Sequence, residues 1–306
     1  MIARQATLVL SGGGARGAFQ VGAERVLREE LGYRWERIFG VSVGALNGTM
    51  LGQGRPDELA AVWRSIEEKD VYQKYSWLHV AFRIAVLKKL GLYDDTPLRR
   101  LIERHAAHRP FQIPVHVGRV SLVTGRYEVV TSDRPEAEFL DAVWQSATMP
   151  IIWEPIGPNA YVDGGLRNIT PLGDALDLNP TEVVVIVASR DEVEKVERPR
   201  SIVEVATRAL TDITLNEILI EDVRGFVRIN HLVKQAADRG VELRSESGAP
   251  YRYVPITVVR PAESLGDTLD FNRESIRRRI ALGELAAREA MTVPAAAPVG
   301  KGARNA

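Results

Sequence analysis

The chain contains no cysteine, which excludes a disulfide framework, a thiol nucleophile and a thiolate metal site. That absence fits a reducing compartment, so a cytoplasmic protein is expected. A charge excess is missing too: 40 basic residues balance 40 acidic ones over 306 positions. No global field draws this molecule to nucleic acid or anionic lipid, and a preference of that kind must come from a local patch. We expect no nucleic-acid partner. Long apolar runs are also lacking, since none approaches the roughly 18 residues needed to span a bilayer. The stretch at residues 6–10 is too short for a signal-peptide core and runs straight into glycines. The expectation is a protein that is soluble or peripheral to a membrane, and not integral. The five histidines show no H-x-x-x-H pair, and no acidic ligand loop repeats, so neither a metal nor another cofactor is expected.

What is present is a composition, 45% apolar and 26% charged, that suits a globular protein with a sizeable core. Residues 6–10 (ATLVL) read as a strand buried on both faces. A glycine loop and a helix over 18–31 follow. Ile38 and Phe39 then end a second strand, and a helix over 43–51 comes next. This is the rhythm of an α/β protein with a central, mostly parallel sheet flanked by helices. Residues 55–110 read as a helical insertion, with prolines opening helices at 56–67 and 97–108. Alternating runs on either side of Thr124-Gly125 predict a β-hairpin. A helix over 140–148, a strand fragment at 161–162, a helix opened by Pro171 and a buried strand over 182–188 follow. Helix is expected over 202–238 with a break near 224–225, then a strand over 252–259 and a helix over 269–288. One domain over 1–292 is expected, and the Ala/Pro/Gly-rich tail at 293–306 reads as disordered.

Three short motifs carry the chemistry. Gly40-Val41-Ser42-Val43-Gly44, between a strand and a helix, has the form of a nucleophile elbow. Its turn strains the serine, and its glycines let neighbouring backbone approach. The helix N-terminus beside Ser42 favours oxyanion charge. The loop Ser11-Gly12-Gly13-Gly14-Ala15-Arg16-Gly17 exposes successive backbone N–H groups and forms an anion-binding concavity. It suits either an oxyanion hole or a dinucleotide phosphate site. Gly12, Gly14 and Gly17 satisfy G-x-G-x-x-G, and Glu36 stands where a ribose carboxylate could fall. The third motif, Asp163-Gly164-Gly165, follows a strand fragment and exposes its aspartate.

In this order and spacing, SGGGARGAFQVG, GVSVG and DGGLRNITP resemble the motif set of patatin-like phospholipases. SATMPIIWEPI at 146–156 is similar to the stretch before the aspartate motif of that family. The likeness covers about residues 6–175. It implies a patatin-like fold and a Ser–Asp dyad that hydrolyses fatty-acyl esters, most naturally of phospholipids. Ser42 would be the nucleophile and Asp163 its base. Gly12, Gly13, Gly14 and Arg16 would form the oxyanion hole, with Gly40, Gly44, Gly164 and Gly165 as motif glycines. A carboxylate of ordinary pKa is a weak base for a serine, so Asp163 is expected to be partly buried.

Chain order alone also permits Ser…Asp…His, with His231 the one histidine after Asp163. It lies in a helical pattern, where a solvated or packed role is the better reading. A non-catalytic lipid-binding or scaffolding protein, and a nucleotide-binding oxidoreductase using the glycine loop, are the further alternatives. Residues 77–93 combine large apolar side chains with Arg83, Lys88 and Lys89. They suit an interfacial element or lid, but apolar positions around most of the helix favour packing into the core.

Overall fold

The apolar run that begins at Ala6 lies in the middle of a buried sheet. The computed structural model describes residues 4–290, apart from 88, 194 and 247; the expected tail at 293–306 lies outside the described residues. The chain opens with β1 (Arg4–Leu10), one 3₁₀ turn (Gly14–Gly17), α1 (Ala18–Glu29), β2 (Tyr33–Gly40) and α2 (Val43–Gly52). The next segment holds α3 (Pro56–Ser65), α4 (Glu68–Val71), β3 (Gln73–Lys74), α5 (Trp77–Ala85), β4 (Tyr93–Asp94) and α6 (Thr96–Ala106). After it come β5 (Val115–Ser121), β6 (Tyr127–Thr131), α7 (Glu136–Ser146), β7 (Tyr161–Asp163), α8 (Gly165–Asn168), α9 (Leu172–Asp177) and β8 (Val183–Ile186). The last third contains α10 (Ile202–Thr207), a π-helical segment (Arg208–Leu215), α11 (Asn216–Ala237), β9 (Ile256–Val259) and α12 (Arg273–Ala290).

Seven strands form one sheet in the order β6-β5-β2-β1-β8-β9, with β7 paired to β5 off this path. Neighbours from β5 through β2, β1 and β8 to β9 are parallel, whereas β6 and β7 run antiparallel to β5. The inner part of β1 and all of β8 read as near-continuous apolar runs because helices cover both faces there. Alternate side chains of β1 serve the two sides: Leu8 and Leu10 join the core that includes Phe19, Val43 and Ile280, while Val9 joins the core of Leu172, Leu215 and Leu219. The result is a three-layer α/β arrangement.

Several expectations need correction. The helical pattern of 202–238 is interrupted by the π-helical segment at 208–215, while Arg224 and Gly225 lie inside the continuous α11. The strand expected over 252–259 starts only at Ile256, and β2 extends back to Tyr33. The segment 77–93 is not a core helix. Leu78 is 62% exposed, Leu90 is 67% exposed, and Phe82, Val86 and Leu87 are exposed as well. The two-stranded ribbon of β3 and β4 carries this arm, which is pinned at its base by Arg83 and Lys89 on Glu154. Apolar residues all round a helix favour burial only where a neighbour arrives to cover them.

Candidate active site

Strand pairing brings two distant motifs together. β2 ends at Gly40, opposite Val117 of β5, and β7 arrives from the other direction and ends at Asp163, opposite Arg119. The tips of β2 and β7 therefore meet head to head, one residue of β5 apart. Gly118 is that residue, and a Cβ on Gly164 would lie 2.3 Å from its carbonyl oxygen. Gly40 and Gly44 pack as closely: a Cβ on Gly40 would sit 2.3 Å from the Gly44 oxygen, and one on Gly44 2.3 Å from the Leu10 oxygen. One on Gly165 would fall 3.0 Å from Oδ1 of Asp163.

Ser42 occupies the turn between β2 and α2 with φ 57° and ψ −130°, a conformation an L-residue adopts only under constraint. Its N–H donates to Oγ of Ser146 (2.9 Å), and the Gly44 N–H closes the turn on the Val41 carbonyl (2.9 Å). The Ser42 side chain lies close enough to the Asp163 carboxylate to lower its pKa. Asp163 Oδ1 also accepts from the Gly165 N–H (2.8 Å), and its own N–H donates to the Thr148 carbonyl (2.8 Å). Both side chains are buried. Burial pushes the Asp163 carboxyl up to about 6, against the lowering effect of the Ser42 and Gly165 hydrogen bonds. A carboxyl raised in this way is a stronger base than an exposed one.

The glycine loop adjoins this pair. Gly13 and Gly14 have φ of 152° and 56°, which glycine alone tolerates easily, and a Cβ on Gly12 would lie 3.2 Å from the Ser42 Cβ. The Gly12 N–H is engaged with the Ile169 carbonyl (3.1 Å), whereas those of Gly13 and Gly14 have no acceptor among the described residues. The Arg16 guanidinium is committed elsewhere, to the Gly266 carbonyl (2.7 Å) and to Asp212 (2.8 Å). It stands on the wall of a polar cleft, not in the cavity that Ser42 lines.

That cavity, about 90 Å³, is lined almost wholly by apolar side chains, among them Leu46, Met50, Trp63, Leu98, Val143 and Phe271. It lies between α2, α7 and the helices of the 55–110 segment.

Other supports escaped sequence reasoning. Ser146 lay inside a recognised stretch without a role. Gln20, Asn47 and Trp63 form a buried chain beneath the loop: Gln20 donates to the Ser11 carbonyl, Asn47 to Gly17 and Gln20, and Trp63 to Asn47. Arg279 on α12, 1% exposed, donates to the carbonyls of Ala15, Leu265, Asp267 and Asp270. It thereby holds Thr268, whose carbonyl accepts from the Ala15 N–H (2.7 Å). Burial lowers the Arg279 guanidinium to about 10, which leaves it charged at neutral pH. Nothing local in the sequence around Arg279 signals this link.

The rival readings gain little. Glu36 lies within β2, four residues before the strand end, which at about 3.3 Å per residue puts it about 13 Å below the loop. A ribose carboxylate belongs at the strand's carboxyl end. His231 is exposed on α11, where its Nε2 meets Gln235, and it does not line the Ser42 cavity. Among the described residues, no group of three or more His, Asp or Glu is placed to hold a metal ion, and no helix is long and apolar enough to cross a membrane.

The family described as patatin-like phospholipase matches residues 8–176. An uncharacterized protein of Bacillus subtilis (strain 168), YqhO, is 27% identical over 191 residues, covering 54% of this chain and 64% of that protein. The match thus spans just under two thirds of that relative. Among solved structures, VipD from Legionella pneumophila aligns with a TM-score of 0.44 at 13% identity, over 95% of this chain and 67% of VipD. The type III effector protein ExoU aligns with a TM-score of 0.42 at 14% identity, over 94% of this chain and 53% of ExoU.

Proposed function

Because the chain belongs to the patatin-like phospholipase family, we propose that it is a serine acyl hydrolase that cleaves fatty-acyl esters, most naturally those of phospholipids, through an acyl-Ser42 intermediate. The observation that carries this reading is the meeting of a strained, buried Ser42 with a buried Asp163 whose carboxylate is fixed by the Gly165 N–H, at the facing tips of β2 and β7.

In the reaction, Ser42 Oγ attacks the ester carbonyl while its proton passes to Asp163. The tetrahedral oxyanion is met by the N–H groups of Gly13 and Gly14 and by the positive end of α2. Asp163 then returns the proton to the departing alcohol oxygen as the C–O bond breaks, leaving the acyl-serine. Water attacks this ester and gives a proton to Asp163; release of the fatty acid restores the Ser42 hydroxyl. The apolar cavity beside Ser42 receives the acyl chain. No third residue is needed to orient the base, since Gly165 already fixes the carboxylate.

The exposed arm supports contact with a lipid surface. Between residues 76 and 92 there are three cations and no acid, and the arm is joined to exposed Ile151 by the Leu92–Ile151 backbone bond. The arm springs from Tyr72 and Tyr93, which stack on each other, with Tyr72 also against Trp153 of the cavity wall.

Labelling with a fluorophosphonate followed by peptide mapping tests the assignment. The expected adduct is on Ser42, lost in Asp163→Asn. A folded protein with no label and no p-nitrophenyl ester hydrolysis would overturn the assignment in favour of a non-catalytic lipid-binding role.

A further inference from the structure

The groups that meet charge in the reaction stand on the softest part of the chain. Gly12, Gly13 and Gly14 are consecutive, and glycine loses more conformational freedom on folding than any other residue. Donors to an oxyanion are effective when they are held in place before the charge forms. Upstream, the loop is tied to β8 and to the end of α8: the Ser11 N–H donates to the Ile186 carbonyl (3.2 Å) and the Gly12 N–H to that of Ile169 (3.1 Å). Downstream, the next two residues are tied to a strap at 264–270 that has no helix or strand of its own. The Ala15 N–H donates to the Thr268 carbonyl (2.7 Å), and Arg16 Nε donates to the Gly266 carbonyl (2.7 Å). We propose that Arg279 is a positioning residue for the reaction: by clamping this strap onto the loop, it sets the Gly13 and Gly14 N–H groups against the oxyanion. The proposal rests on the acyl-hydrolase reading.

One guanidinium joins strap and loop. Arg279 Nε donates to the Leu265 carbonyl (2.6 Å) and Nη2 to that of Asp267 (3.0 Å), while Nη1 serves both Asp270 (2.6 Å) and Ala15 (3.3 Å). Ala15 is thus held on both sides, its N–H by the strap and its carbonyl by the arginine. A planar fork with five donors makes this possible, and no other side chain carries one. The strap presses on the loop at an oxyanion donor, since a Cβ on Gly14 would collide with the Thr268 carbonyl. Arg279 has a rigid footing: α12 lies directly on α1, where a Cβ on Gly22 would collide with the Ile280 carbonyl and one on Gly283 with that of Phe19. Its buried charge is met chiefly by these carbonyl dipoles, whereas the Asp270 carboxylate stands 3.4 Å away. A buried charge is tolerated only when hydrogen-bonded in this way, so the arginine and the strap conformation depend on each other. Strap and arginine both lie beyond the family match at 8–176. The clamp therefore belongs to the rest of the chain and not to the shared motifs.

The test separates binding of the transition state from binding of the ground state. A trifluoromethyl ketone accepts Ser42 Oγ at its carbonyl carbon; the hydroxyl proton passes to Asp163, and the carbonyl oxygen becomes an oxyanion in the loop. The matching methyl ketone binds without forming that adduct. Arg279→Met is expected to lower kcat on p-nitrophenyl butyrate about 10²-fold, with KM changed by less than about twofold. Inhibition by the trifluoromethyl ketone should weaken by the same factor, and affinity for the methyl ketone should stay the same. Arg279→Lys, which keeps the charge and fewer donors, should recover part of both losses. All assays are run well below the melting midpoint of each variant. Unchanged kcat in folded Arg279→Met, or equal weakening of the two ketones, would overturn the proposal. Should Arg279→Met not fold, Gly266→Val strains the strap at a φ of 73° beside Arg279 and must show the same split at smaller size; an unchanged kcat there overturns the proposal too. The unaltered chain tests the parent reading separately. If it neither hydrolyses the ester nor forms the ketone adduct, the hydrolase assignment falls and the clamp with it, whereas activity indifferent to Arg279 removes the clamp alone.

Discussion

Helix α2 (VGALNGTMLG) is buried at nine of its ten residues, whereas α5 (WLHVAFRIA) leaves Leu78 and Phe82 more than half exposed. Both are apolar, and neither carries an acid. The difference lies in what can approach them. Gly44, Gly48 and Gly52 form one face of α2, and Cβ atoms there would lie 2.3 Å from the Leu10 oxygen, 3.0 Å from Ile38 and 2.2 Å from Val115. The helix therefore sits directly on the strands and fixes Ser42 at its N-terminus. The arm helix has no glycine, and the ribbon beside it is a separate two-stranded sheet and not part of the main one. Apolar content makes a helix able to leave water; a matching surface decides whether it does.

The largest effect should come from the chemistry that α2 positions. Ser42→Ala is expected to lower kcat on p-nitrophenyl butyrate by about 10³-fold or more, and Asp163→Asn by about 10²–10⁴-fold. Because Asp163 must be ionised to act as base, activity should rise with pH through about 6 and level off above it. Stability should show the opposite sign. The folded state binds a proton at Asp163 that the unfolded chain has released, so stability falls as pH rises from about 4 to about 6. Asp163→Asn should remove its share of that slope and raise the thermal midpoint at pH 8. Asp95, also pushed up to about 6 by burial, keeps its own share. A flat pH–rate profile between 5 and 8 would rule out Asp163 as base.

A smaller effect tests the packing half of the comparison. Gly44→Val should cost about 1–3 kcal/mol in denaturant melts and more than about tenfold in activity, since α2 must lift. Ala81→Leu, on the exposed α5, should stay within about 0.5 kcal/mol. Equal destabilisation by the two would end the distinction drawn here. The smallest effect concerns the arm: Phe82→Glu should reduce hydrolysis of anionic vesicles about threefold to tenfold, with p-nitrophenyl butyrate turnover unchanged. Loss of both activities together would mean the arm supports the fold and not the lipid contact.

Much of the site was legible because its signals are local. A glycine loop after a buried strand, and a serine between glycines at a strand–helix junction, are written in consecutive residues. Asp163 was harder, because its position depends on β7 meeting β2 across β5, more than 100 residues away in sequence from Ser42. The partners of Arg16 were hidden for a related reason: its place in the loop suggested oxyanion chemistry, and Gly266 and Asp212, which hold its guanidinium, come from much later in the chain. Ser146 lies in a recognisable stretch that gives it no role, and Thr268 and Arg279 carry no local motif at all. The arm was misjudged because periodicity records which side chains prefer burial and not which neighbour is available to bury them.

By itself the sequence determined the alternation of strands and helices, the strained serine turn and the glycine loop, since backbone sterics and hydrophobic period act over a few residues. Tertiary structure decided the rest. It buried Asp163 against Ser42 and so raised its basicity, because desolvation depends on what surrounds a group. It set an apolar cavity beside Ser42 and a buried arginine behind the glycine loop, because only strand order and long-range packing bring residues 42, 163, 268 and 279 to the same end of the sheet.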